Sequence, residues 1–305
     1  MSDREMVLIE GCCHPYRKYP GVSYNSIENL LLYRMDTVRG EVVGADGRST
    51  AVVSRLAWDT EILDIECGRV DLAAVMSRPD SHELARLVIA SAERQGIEHL
   101  SARFDAEDTD LMSGFLAEGF EQVDSIETFV GPVAQLPAEV DVRLADSSDA
   151  RAVKDIARSA FTVDRFHYDP FIEKNRADEL HAVWGENSVL GKAADAVVVA
   201  EVAGEVLGFV TCKIQSEIEP YLGLRIGTIV LVATVEKARS RGLGARMTRF
   251  AINWFHEQDC DLVEVGTQKS NVGACKLYES VGLTVKGSSV SLRRMIGNPT
   301  AIPNM

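Results

Sequence analysis

The sequence predicts an α/β protein, and three features predict it. Strand and helix signals alternate through the second half, a glycine-rich turn there joins a strand directly to a helix, and the first half repeats much of that pattern. At 305 residues the chain is about twice the common domain size, so two domains are expected. A strand-like stretch (126–130) is followed by GPVAQLPAEV (131–140), whose two prolines and glycine predict a linker. This places one domain at 1–135 and a second at 141–305.

The elements of the second domain follow in order. Val142–Leu144 reads as a strand. DSSDARAVKDIARSAF predicts a capped helix starting near Ser148 or Asp149, with Ala152, Val153, Ile156 and Ala160 on one face. VVVAEVAGEVLGFVTCKI predicts two strands joined at Ala203-Gly204, a hairpin signal. IGTIVLVATV is the next strand, and RSRGLGARMTRFAINWFHEQ has a helical period through Met247, Phe250, Ala251, Trp254 and Phe255. LVEVGT and NVGACKLYESVG supply a further strand and helix.

The repeat is legible as a numerical offset. Leu84, Leu87, Val88, Ser91 and Ala92 fall on Met247, Phe250, Ala251, Trp254 and Phe255 at a constant 163 residues. The same offset carries Phe115 onto Tyr278 and Gly119-Phe120 onto Gly282-Leu283, whereas Gly68 matches Gly227 at 159. The first half is short by four residues where the second has its glycine turn; Met76-Ser77-Arg78-Pro79-Asp80 stands there instead. The first half is therefore expected to keep the fold and to lack an anion cradle.

Composition excludes several functions. Hydrophobic residues make up 46 % of the chain, enough for a core. Lys+Arg 32 against Asp+Glu 46, a net charge of −14, argues against nucleic acid as partner. The six cysteines form no CxxC pair, and Cys12 and Cys13 are adjacent. His14, His82, His99, His181 and His256 lack ligand spacing and read as structural or solvated, so no metal is expected. MSDREMVLIEG lacks the apolar region of a signal peptide, and no run of eighteen apolar residues occurs. The expectation is a reduced, cytoplasmic protein without a membrane partner.

Arg239-Ser-Arg241-Gly242-Leu243-Gly244 has the makings of an anion site. A helix N-terminus offers unpaired N–H groups and partial positive charge, and glycine admits close approach of a ligand. Arg239 and Arg241 add charge beside it. Neither GxxxxGK[ST] nor GxGxxG fits.

RxxGxG on this turn, followed by Asn271-x-x-Ala274-x-x-Leu277-Tyr278-x-x-x-Gly282-Leu283, resembles the GNAT acyltransferase superfamily over roughly residues 141–294. The resemblance implies a GNAT fold, a mixed and mostly antiparallel sheet flanked by helices, preceded by a partial GNAT-like half. It implies acetyl-CoA as cosubstrate, its pyrophosphate on the amides of Arg239, Arg241, Gly242, Leu243, Gly244 and Ala245. Val232 and Thr234 would offer backbone groups to the pantetheine arm, Asn271 would hydrogen-bond the cosubstrate, and Tyr278 would be the general acid for the departing thiolate. A phenol's ordinary pKa of about 10 lies above a thiol's at about 8.5, so Tyr278 stays protonated at neutral pH.

On the acceptor side, Trp58-Asp59-Thr60 at a loop-to-strand junction, DRFHYDP near 164 and VGTQKSNVGACKLYESVG resemble the TDP-fucosamine acetyltransferases, which also place a partial half before a complete one. Ile62-Leu63-Asp64 departs from the aromatic residues expected after Trp58-Asp59. The resemblance implies a nucleotide-linked 4-amino-4,6-dideoxyhexose as acceptor. Arg165 would pair with phosphate, His167 and Tyr168 would stack on or bond sugar or base, and Asp59 or Glu61 would orient the amine or relay its proton. The negative net charge favours a cationic acceptor instead, so a polyamine, an aminoglycoside, an amino acid or a protein N-terminus stays open, as does a non-catalytic acyl-CoA sensor. A homodimer is compatible with the sequence, though no feature selects it.

Overall fold

The computed structural model describes residues 16–44 and 47–297, so Cys12, Cys13 and His14 lie outside the described residues. The described chain divides into two units. Unit 1 takes the residues up to Ile126, Tyr168–Phe171 and those from Gly287; unit 2 takes Glu127–His167 and Ile172–Lys286. The division falls inside a strand rather than at 131–140. That stretch is strapped down within unit 2: Asn253 Oδ1 accepts from the Leu136 N–H at 2.6 Å, Asn253 Nδ2 donates to the Leu136 carbonyl at 3.1 Å, and Arg249 pairs with Glu139. Side chains that satisfy the backbone of an irregular segment hold it in place, whatever its proline content.

Unit 1 contains α1 (Tyr24–Thr37), β1 (Glu41–Val43), β2 (Ser49–Arg55), α2 (Ala57–Leu63), β3 (Cys67–Val75), α3 (Arg78–Arg94), β4 (His99–Asp105), α4 (Thr109–Ala117) and the start of β5 (Glu121–Pro132). β1, β2 and β3 pair antiparallel, β3 and β4 parallel. The later part of β11 (Thr284–Met295) pairs antiparallel with β4. Leu84, Ala85, Val88 and Ala92 of α3 are fully buried, with Phe104, Leu111 and Phe115, in one core. Trp58 and Asp59 occupy the first turn of α2, not a loop-to-strand junction. Asp64 ends that helix in the left-handed region (φ 59°), and Thr60 Oγ1 accepts the Cys67 N–H at 2.9 Å, closing the return to β3.

Unit 2 contains β6 (Val142–Leu144), α5 (Ala150–Ala160), α6 (Lys174–Val189), β7 (Ala196–Val202), β8 (Glu205–Ile214), β9 (Ile226–Thr234), α7 (Leu243–Glu257), β10 (Leu262–Gln268) and α8 (Val272–Ser280). β6 to β9 run antiparallel in order, and β10 adds parallel to β9. Successive strand residues face opposite sides. Val197, Val199 and Phe209 therefore pack with Val153 and Ile156 of α5, while Val198 and Val210 pack with Met247, Ala251 and Phe255 of α7. The Ala203-Gly204 turn has φ 53° and 80°, the paired positive values of a tight hairpin.

α6 follows the DRFHYDP segment and is not among the helices the sequence predicts. Its buried side are small or polar residues, Ala177, His181, Ala182, Gly185 and Ser188, with Leu180 alone among large aliphatics, so the apolar period is faint. Close approach to α5 explains the small residues: a Cβ on Gly185 would stand 2.9 Å from that of Ala157.

The two units have one plan. β3, β4, α4 and β5 match β9, β10, α8 and β11 at the offsets read from sequence, 159 for the first pair and 163 for the rest, with no change at either boundary of any of them. Both units bulge this strand, at 72–73 in β3 and at 230–231 in β9, one residue from exact correspondence at the offset of 159.

Candidate active site

The bulge and the parallel pair shape the site in unit 2. A bulge bends its strand, and β9 parts from β10 after Ile229↔Val265 although the two strands continue to Thr234 and Gln268. The opening falls between two strand edges. Val235 donates its N–H to Leu207 across the β8 side. By the two-residue alternation of strand amides, Ala233 faces β8 as well, while Val232 and Thr234 turn their amides and carbonyls toward the opening. The Thr234 carbonyl there accepts from Arg239 Nε at 3.4 Å.

The glycine turn follows. A short 3₁₀ turn, Glu236–Ala238, uses the Arg239 N–H, which donates to the Glu236 carbonyl. Arg239 can thus contribute its exposed guanidinium to the cradle but not its amide, a correction to the expected set. Ser240 and Gly242 have φ 60° and 76°. Gly242 caps α7 without any side-chain hydrogen bond, and the first backbone bond of the helix is Arg246 N–H to the Gly242 carbonyl. The amides of Leu243, Gly244 and Ala245 are therefore the unpaired donors of the helix end, beside the exposed Arg241. Gly242 has open space around the position of a Cβ, whereas a Cβ on Gly244 would come 2.6 Å from Leu277 Cδ1. Gly244 is glycine so that α7 can approach α8.

The same place in unit 1 is built the other way. α3 has Pro79 in its first turn, which removes a donor, and Asp80, whose carboxylate accepts from Ser77 Oγ at 2.5 Å and lies 3.6 Å from Arg48. β3 and β4 also part, after Val70↔Ala102. Unit 1 keeps the opening and has filled the anion position with its own carboxylate.

Asn271 is the N-cap of α8, its Oδ1 accepting from the Ala274 N–H at 3.1 Å, as Asp108 does for Leu111 in α4. Tyr278 is 4 % exposed and packs on Phe129 with ring centroids 5.6 Å apart. Burial, with a smaller contribution from Cys275, pushes its phenol well above the ordinary range. Phe115 fills the equivalent place in unit 1, against Phe104 and Phe120 at 4.8 and 4.9 Å. The two rings pack alike, and the hydroxyl distinguishes Tyr278 from Phe115.

The acceptor candidates are spread over both units. Trp58 and Tyr168 are exposed, at 37 % and 46 %, and belong with Asp59 to unit 1. In unit 2, the Arg165 guanidinium lies 4.2 Å over the Phe166 ring. His167 differs from its expected role. Its side chain is 5 % exposed, with Nδ1 2.7 Å from Asp164 and Nε2 3.0 Å from Asp178, so neither nitrogen is left for a sugar. Burial opposes its charging, but the two carboxylates outweigh this and raise its pKa. His181, read as one of five scattered histidines, joins the same cluster, and burial holds its pKa down. The pattern Asp-x-x-His, occurring at 164–167 and again at 178–181, was the available signal. A cleft of about 780 Å³ lined by Glu219, Arg225, Glu257 and Asp261 lies at the opposite end of β9 and β10 and touches none of these residues.

Comparison with known proteins agrees with this geometry. Residues 151–283 match the acetyltransferase (GNAT) family. The dTDP-fucosamine acetyltransferase of Escherichia coli O6:H1 is 24 % identical over 64 % of this chain and 81 % of its own. The spore coat polysaccharide biosynthesis protein SpsD of Bacillus subtilis is 24 % identical over 76 % of this chain and 78 % of its own. Among solved structures, a GCN5-related N-acetyltransferase from Sphaerobacter thermophilus covers 96 % of this chain and 92 % of its own with a TM-score of 0.63, at 16 % identity. Residues 151–283 are an acetyltransferase domain of the GNAT family, and the chain is an acetyl-CoA-dependent N-acetyltransferase.

Proposed function

We propose that this enzyme moves acetyl from acetyl-CoA to the amino group of a nucleotide-linked amino sugar of the TDP-4-amino-4,6-dideoxyhexose class. The observation that carries the cosubstrate half is the parting of β9 and β10 just before a helix N-terminus that no side chain caps. The amides of Leu243, Gly244 and Ala245, with Gly242, Arg239 and Arg241, suit a pyrophosphate; Val232 and Thr234 suit the amide groups of a pantetheine arm. The acceptor half is supported by two relatives whose names concern an amino sugar and a polysaccharide, one of them matched over 76 % of the chain.

The amine nitrogen attacks the thioester carbonyl, a C–N bond forms and the C–S bond breaks. The proton lost by the amine passes to water. Tyr278, held as a phenol by its burial, donates a hydrogen bond to the departing sulfur and delivers its proton as charge develops there. Asn271 hydrogen-bonds the cosubstrate while capping α8. Unit 2, which takes in most of the expected second domain (141–305), carries the catalytic step; Trp58, Asp59 and Tyr168 of unit 1 and Arg165 of unit 2 are the acceptor-side candidates. His167 shapes that segment from within.

Thiol release from acetyl-CoA, measured with a panel of TDP-linked 4-amino-4,6-dideoxysugars beside polyamines, aminoglycosides and an N-terminal peptide, tests the proposal. Turnover on a TDP-amino sugar alone, abolished by Tyr278→Phe, is expected. Turnover confined to another amine overturns the acceptor, and tight acetyl-CoA binding without release on any amine overturns catalysis in favour of a sensor.

A further inference from the structure

The repeated Asp-x-x-His of unit 2 folds into one cluster that acyl transfer does not use. Asp164 and His167 lie in the loop after α5; Asp178 and His181 lie one turn apart on α6. Asp164 Oδ1 accepts the N–H groups of Phe166 and His167 at 2.8 and 3.2 Å, which fixes the carboxylate and leaves Oδ2 pointing elsewhere. His167 Nδ1 stands 2.7 Å from Oδ2 and His181 Nε2 3.6 Å from the same atom, all three lying within 4.8 Å of one another. The two imidazoles are 4–5 % exposed.

Hydrogen-bond direction decides what belongs among them. The Ala177 carbonyl can only accept, so His181 Nδ1, 2.9 Å away, carries the hydrogen. In the neutral ring Nε2 is then a lone pair, and it faces a carboxylate oxygen at a distance beyond hydrogen-bond reach. Two acceptors buried face to face call for a cation. His167 has the complementary arrangement: its remote nitrogen, Nε2, meets Asp178 Oδ1 at 3.0 Å, and Asp178 is held in turn by Lys174 at 2.6 Å. A ring whose far nitrogen donates to a carboxylate or a backbone carbonyl is oriented as metal-binding histidines are. Phe161 stacks on His181 at 4.6 Å and 18°, fixing the ring plane.

We propose that Asp164 Oδ2, His167 Nδ1 and His181 Nε2 bind a divalent first-row transition ion, zinc foremost, with Asp178 and the Ala177 carbonyl orienting the two histidines. Two imidazoles and one carboxylate suit zinc, with a position left for water. Zinc–ligand lengths of about 2.0–2.2 Å put tetrahedral ligands roughly 3.3 Å apart, and the separations of 2.7 and 3.6 Å bracket that value. Binding replaces the proton shared by His167 and Asp164, which leaves to solvent. The ion ties the 164–167 loop to α6 and needs no part in acyl transfer.

The full-length protein, purified and freed of metal with a chelator, would be titrated with Zn²⁺ and with Co²⁺ alone. Expected are one equivalent of Zn²⁺ per chain, a Tm that rises with Zn²⁺ concentration, and the intense visible bands of tetrahedral Co²⁺. His181→Gln abolishes them, and Asp178→Asn weakens Zn²⁺ affinity about 10–100-fold while leaving all three ligands in place. Should His181→Gln not fold, the Asp178→Asn titration decides. A folded wild-type chain that takes up less than stoichiometric Zn²⁺, or uptake unchanged by Asp178→Asn and His181→Gln, overturns the site.

Discussion

At Tyr278, packing and the chemistry proposed for it can be separated within one residue. Because Phe115 occupies the matching place in unit 1, Tyr278→Phe is expected to stay within about 1 kcal/mol of wild-type stability while lowering kcat about 10²–10⁴-fold. A circular-dichroism melt and steady-state kinetics together check this; an unchanged kcat would leave the phenol with no part in turnover. Asn271 caps α8 and, in the proposed reaction, holds the cosubstrate, and substitution can divide the two. Asp108 shows that Asp caps this kind of helix, so Asn271→Asp should hold Tm and raise the KM for acetyl-CoA, whereas Asn271→Ala should also lose about 1 kcal/mol of stability. The placement of Asn271 and Tyr278 on one helix was readable in the sequence because their spacing is local. His167 was not, because its partners come from Asp164 and, eleven residues on, Asp178, and no periodicity announces which side chains a loop will bury.

For the elements, the decisive contrast is between the starts of α7 and α3. One presents bare amides and the other carries Pro79 and Asp80. Ala245→Asp places a carboxylate in the first turn of α7, which should stabilise the helix by about 0.3–1 kcal/mol and yet weaken acetyl-CoA binding by tenfold or more. Opposite signs from one substitution, read by thermal melt and by calorimetric titration, would be hard to obtain from misfolding. Gly244→Ala should cost about 1–3 kcal/mol through the Leu277 contact, and Leu277→Ala should recover part of it in the double variant. Strands with strong alternation and the period of α7 were legible from residues alone. α6 was not, since its buried side is made of small and polar residues, and α2 was hidden because a seven-residue helix has too few turns to show a period.

In the molecule as a whole, long-range ion clusters tie distant parts of the sequence together. Within unit 1, Asp169 is buried with His99 Nε2 at 2.8 Å and Arg293 Nε at 3.1 Å, and the Arg293 guanidinium lies over Phe171. Burial alone would raise the Asp169 pKa; His99 and Arg293 outweigh it and hold the carboxyl below its ordinary value. A carboxyl depressed on folding contributes stability that is present above its unfolded pKa of about 3.9 and is lost as pH falls through the folded value. Acid unfolding followed by fluorescence should therefore begin at higher pH in Asp169→Ala, with a loss of about 3–5 kcal/mol at neutral pH as Arg293 loses its buried carboxylate partner.

The equal spacing of the two units also bears on how such a protein changes over time. From β4 to β5, and from β10 to β11, every boundary keeps its distance, so neither half has gained or lost a residue there. From β3 to β5 and from β9 to β11, length drifts at the connection between the opened strand and the following helix: Met76 and Ser77 in one half, residues 235–242 in the other. A repeated scaffold of this kind can vary in the stretch whose length decides whether a helix end is left open or is sealed by its own carboxylate. Acquiring or surrendering a ligand becomes a matter of a few inserted residues, and the rest of the architecture need not respond.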